Sequence, residues 1–104
     1  MKKDIADKWV AALRSGEYKQ AYGRLKKGDA YCCLGVLCDV LGREFSNGEC
    51  EGIGAYLPES VVKEAGMSSR NGLLFATKSL ADMNDNGMSF NFIADVIENY
   101  WEEL

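Results

Sequence analysis

The run Tyr31-Cys32-Cys33-Leu34-Gly35-Val36-Leu37-Cys38-Asp39 decides the fold. It sets three of the four cysteines in an apolar stretch framed by Asp29, a good helix N-cap, and Gly42, a good residue just past a helix end. The frame predicts a helix over 30–41, apolar on nearly every side and therefore central to the molecule. A buried strand is the alternative for so short a run. Gly35 costs such a helix about 1 kcal/mol of propensity, which predicts a close neighbour at that point.

The thiols do not converge. On a helix advancing about 100° per residue, Cys32, Cys33 and Cys38 scatter around the axis. On a strand, Cys32 and Cys38 share a face but stand about 20 Å apart. Neither arrangement gives a tetrahedral metal site, and the chain has no histidine and no CxxC pair. Buried free thiols are expected, with no metal and no cofactor.

Working outward, Ile5, Trp9 and Leu13 recur at spacing four and predict an amphipathic helix over 4–14, ended by Ser15-Gly16. Residues 17–28 have no helical period and read as extended chain or loop. Asn47-Gly48 predicts a small hairpin, Pro58 the first residue of a short helix closing near Gly66, and 67–76 a loop. A helix follows over about 77–84. A last one starts at the N-cap Ser89, with Met88 and Ile93 as a hydrophobic staple and Phe90, Ile93, Ala94, Ile97 and Trp101 as its buried stripe. The expected fold class is α+β, mainly α, with about five short helices around a buried central helix and a small antiparallel hairpin. At 104 residues it forms one domain, 1–104.

The N-terminus lacks the apolar core of a signal peptide and no apolar run approaches the roughly 18 residues of a membrane span, so a cytoplasmic location is expected. The net charge of −4 conceals an asymmetry, because no Lys or Arg follows Lys78 while the first 28 residues are basic. Such polarity steers anions to one end or draws two copies together head to tail.

The chemistry-bearing cluster is Arg14, Lys19, Arg24, Lys26 and Lys27, interleaved with Tyr18 and Tyr22 and punctuated by Gly16, Gly23 and Gly28. Cationic donors hold phosphates, glycines admit backbone N–H groups, and aromatic faces stack on bases. A solvated basic loop with its tyrosines on the core is the plainer alternative. Asp39, the lone charge of the central run, is expected to pair with Arg24 or Arg14 and so order that loop, or else to touch a ligand directly. Residues 80–95 look like a helix-turn-helix, but Asp95 and Glu98 with no cation rule against DNA. Without histidine, a nucleophile motif or a phosphate-loop pattern, the chain is not expected to be an enzyme.

Taken together, Tyr18-Lys19-Gln20, Gly23-Arg24-Leu25, Gly28-Asp29, the Tyr31-to-Asp39 run, Tyr56-Leu57-Pro58, Leu80-to-Asp85, Ser89-Phe90 and Ile93-Ala94-Asp95 resemble a family of small proteins found largely in bacteriophage genomes. The resemblance implies an inhibitor of host defence working in the host cell cytosol. Combined with the basic cluster, it leads to the expectation of a non-enzymatic protein that sequesters a nucleotide immune signal, such as a cyclic ADP-ribose derivative. Arg14, Lys19, Arg24 and Lys26 would hold the phosphates, Tyr18 or Tyr22 would stack on the base, and Asp39 would support them. A homo-oligomer is expected. The alternative is an inhibitor that binds a host protein through the acidic pair of helices around Asp82, Asp85, Asp95 and Glu98.

Overall fold

The computed structural model describes residues 1–104. The fold is α+β and mainly α: α1 (Lys3–Arg14), β1 (Lys19–Gln20), β2 (Lys26–Lys27), β3 (Ala30–Tyr31), α2 (Cys33–Val40), α3 (Glu59–Ala65), β4 (Leu73–Leu74), β5 (Lys78–Ser79), α4 (Leu80–Asp85) and α5 (Phe90–Tyr100), then a 3-10 turn at Trp101–Glu103. The apolar stripe of α1 is buried at Ile5, Ala6, Trp9, Val10 and Leu13, and α1 packs across both α5 and α2. Trp9 is fully buried, and its indole N–H donates to the Cys33 carbonyl at 2.9 Å, so the ring enters the core with its one polar atom satisfied.

The central helix is shorter than its frame predicts. Ala30 and Tyr31 form a strand between two others, parallel to β1 and antiparallel to β2. Ladder bonds on both sides hold them extended, so the helix cannot begin until Cys32, which takes the cap. The Cys32 thiol accepts from the Gly35 N–H at 3.4 Å, while its own N–H donates to the Leu25 carbonyl at 3.1 Å. Asp29 lies in the β2–β3 turn instead. The C-terminal frame holds, with Gly42 at φ +76° just beyond the helix. Cys33 to Cys38 are buried without exception, as a central helix requires.

The close neighbour expected at Gly35 is Leu25. Residues 17–28, expected as extended chain or loop, supply two of the three strands. The hairpin expected at Asn47-Gly48 is only a tight turn closed by one bridge, Ser46 to Glu49, with a second at once from Cys50 to Ile53. Asn47, Gly48, Glu51 and Gly52 all take positive φ, and two such turns in succession leave no length for a ladder. True hairpins form elsewhere, at β2–β3 and at β4–β5, the latter running from the expected 67–76 loop into the expected 77–84 helix. The second turns through Phe75 and Ala76 at φ +53° and +59°, a region costing an L-residue about 1 kcal/mol or more and carrying no glycine signal. Because Lys78 and Ser79 belong to that ladder, α4 starts three residues later than expected, capped by the Ser79 hydroxyl.

Pro58 caps α3, and Gly66 ends it in the left-handed conformation. In α5, Ser89 accepts from the Phe92 N–H as expected, an interaction worth about 1 kcal/mol. Met88, expected to staple onto Ile93, is 42% exposed. Trp101 is half-buried against the core. No helix is long and apolar enough to cross a membrane.

Candidate functional site

Leu25 is the anchor of the basic segment. Its side chain is fully buried, its N–H donates to Gly54 at 2.7 Å, and its carbonyl accepts from Cys32. Arg24 and Lys26 therefore flank a fixed point and project outward. They line a cleft of about 440 Å³ with Lys27, Gly28, Phe45, Asn47 and Gly48. Arg24 donates to the Asn47 carbonyl at 3.3 Å, which ties the two walls together. The Lys26 ammonium lies 5.1 Å from the Tyr31 ring centroid and 5.4 Å from that of Phe45, within cation–π range of both.

No carboxylate lines this cleft. Six of the chain's twelve Lys and Arg residues lie in ion pairs, and of the six that do not, Arg24, Lys26 and Lys27 share this one site. Across the ridge formed by Phe45 and Asn47 lies a second groove, lined also by Glu44, Glu49 and Glu51. Opposite charges thus face each other over one aromatic residue.

The other sequence candidates lie elsewhere. Arg14, in the last turn of α1, faces α5 and is held by Asp95 at 2.6 Å and Glu98 at 3.0 Å, the Glu98 bond first and the Asp95 bond second keeping it protonated. Lys19 pairs with Asp29 at 3.0 Å and holds that carboxyl below its usual range. Tyr22 is 47% exposed and outside the cleft lining. Tyr18 is half-buried, edge-on to Tyr31 at 5.2 Å. Burial, then its bond to Asp39, pushes its hydroxyl above the tyrosine range.

The partner of Asp39 is accordingly Tyr18, whose hydroxyl donates to it at 2.6 Å, and not an arginine. Arg14 is captured by the carboxylates of α5 and Arg24 points to the 43–54 loop. Asp39 still orders the basic segment, through a tyrosine.

What sequence reasoning missed is the polar hub that fastens this segment. Asn84 is fully buried in α4. Its Oδ1 accepts from Gln20 Nε2 at 2.9 Å and the Cys33 N–H at 3.1 Å, and its Nδ2 donates to the Ala21 carbonyl at 2.8 Å. Next to it, Asp85 accepts the Gly23 N–H at 2.8 Å. The missing aromatic wall was Phe45, reached through a chain of edge-on rings from Tyr18 to Tyr31 to Phe45. The Asn47-Gly48 turn signal was the one clue in the sequence to this wall.

The four thiols are free and buried. Burial pushes the Cys32 thiol up to about 11 and the other three upward as well.

The fold and cleft define a small α+β domain with a cation-lined surface cleft. Residues 1–101 match the family described as Domain of unknown function (DUF8296), and the chain belongs to it. No curated protein and no solved structure matches the chain.

Proposed function

We propose that this protein binds and sequesters a phosphate-bearing nucleotide without transforming it. The observation that carries the reading is the convergence of three unpaired cations and one aromatic face on a cleft free of carboxylates. Arg24, Lys26 and Lys27 hold phosphate oxygens, the Gly28 and Gly48 backbones allow close approach, and the exposed part of Phe45 stacks on the base. A volume of about 440 Å³ lies within the range of small-molecule sites. The lining offers no thiol, hydroxyl or carboxylate to serve as nucleophile or general base, which supports binding over catalysis.

Joined to the resemblance to phage proteins, the reading is that the ligand is a nucleotide immune signal, such as a cyclic ADP-ribose derivative, removed from the host cytosol to blunt defence. The rival surface, the acidic pair of helices, has less to offer a host protein. Asp95 and Glu98 are occupied by Arg14, and Asp85 by Gly23, which leaves Asp82.

The test is a thermal-shift panel of signalling nucleotides, followed by heat release and mass spectrometry of what was bound. A stabilising nucleotide released intact is expected, and the shift should vanish in Arg24→Glu. A converted nucleotide would mean an enzyme, and no shift with any nucleotide would discard the reading.

A further inference from the structure

Beside the β4–β5 turn runs an apolar stripe that nothing in the monomer covers. Phe92, Val96 and Tyr100 recur at spacing four on α5 and so share one face. Phe75 stands edge-on to Tyr100 with ring centroids 5.5 Å apart and is 60% exposed. A groove of about 290 Å³ joins Phe75, Val96 and Tyr100 to Met83, and a second groove carries on from Met83 to Met88. Phe92, Tyr100 and Met88 are 46%, 45% and 42% exposed. The turn that presents Phe75 does so with two consecutive L-residues at positive φ. Local sequence preference does not ask for that conformation, and its result is an aromatic ring in solvent.

We propose that this stripe is a two-fold interface between two copies of the chain. It does not depend on what the basic cleft binds. The first argument is area. Half-exposed aromatic rings of roughly 200 Å² each give about 300 Å² from Phe75, Phe92 and Tyr100, and the methionines bring the stripe to on the order of 400 Å². A stable interface covers about 800 Å² per partner, roughly two-thirds of it apolar in homodimers, so the stripe supplies most of the apolar part.

The second argument is charge. Lys78 and Asp82 line the same groove at its edge, both exposed, and neither has an ion-pair partner within its own chain. A patch carrying one unpaired cation beside one unpaired anion is self-complementary: a two-fold axis sets Lys78 of each copy against Asp82 of the other. This arrangement is closed. It differs from the head-to-tail attraction that the charge asymmetry along the chain would favour, which builds rings or open filaments of more than two copies.

Sedimentation of the full chain over a range of concentrations tests the proposal. A mass of twice 11.5 kDa that does not grow further is expected. Phe75→Ser and Phe92→Ser remove exposed rings and should each weaken the dimer by about tenfold or more, with unchanged circular dichroism confirming the fold. Lys78→Glu should weaken it too, and Lys78→Glu combined with Asp82→Lys should restore it, which mere apolar stickiness would not produce. A monomer at every concentration, a polymer that keeps growing, a dimer indifferent to Phe75 and Phe92, or a charge swap without rescue would each overturn it.

Discussion

Gly35 of α2 lies directly against the backbone of Leu25: a β-carbon at position 35 would come 1.9 Å from the Leu25 carbonyl oxygen. Neither partner can yield, since one is a buried helix and the other is bonded to Gly54 and Cys32. The contact joins the central helix to the strand that bears the cleft.

Gly35→Ala is therefore expected to destabilise the protein by about 3 kcal/mol or more, although alanine is the better helix former by about 1 kcal/mol. Urea unfolding measures it. A variant within 0.5 kcal/mol of the parent would show that the close approach is not maintained.

Asn84→Ala should cost on the order of 2–4 kcal/mol, since it leaves the Cys33 N–H and the Ala21 carbonyl without partners in the core. Hydrogen exchange at the Cys33 amide should accelerate more than at amides in the middle of α5. Uniform acceleration everywhere would reduce Asn84 to a general packing residue.

Substitution of the cations separates the cleft from the rest of the basic segment. Arg24→Ala or Lys26→Ala should weaken nucleotide binding by about 10- to 100-fold, the worth of one charge-assisted hydrogen bond. Arg14→Ala and Lys19→Ala should change it by about twofold at most, because those side chains are committed to Asp95, Glu98 and Asp29. Isothermal titration of the four variants decides, and equal losses across all four would point to diffuse charge attraction without a site.

The thiols give a pH dependence of definite sign. Burial raises them from 9.0 in the ordinary state, to about 11 at Cys32, so the folded protein holds its thiol protons more tightly than the unfolded chain. The contribution of Cys32 to stability is complete below pH 9 and is lost as pH rises from 9 through about 11. Unfolding midpoints should fall across that window. At pH 8 a thiol reagent should leave all four cysteines untouched in the native state and label all four in urea; prompt labelling of the folded protein would contradict their burial.

The helices were legible because their signals are local. The stripe of α1, the Ser89 cap and the Gly42 and Gly66 ends each depend on a few consecutive residues. Short strands are another matter, since Ala30-Tyr31 is extended only because Lys19-Gln20 and Lys26-Lys27 happen to lie on either side, and nothing within two residues records a partner ten away in sequence. The same limit divided the candidate site. Arg24 and Lys26 were visible as cations, but whether a cation is free depends on which carboxylates come near. Arg14 and Lys19 have their charge compensated by Asp95, Glu98 and Asp29 in just this way. Phe45 was unremarked because its place beside Lys26 follows from the two tight turns after it.

The Phe45 and Asn47 ridge, with cations on one flank and Glu44, Glu49 and Glu51 on the other, amounts to a short, fixed electric dipole at the surface. An approaching anion would feel a torque as well as a pull, arriving phosphate first. Capture should slow steeply with added salt, while release, governed by contacts already made, should change much less. A scavenger of a scarce ligand depends on the first of those two rates.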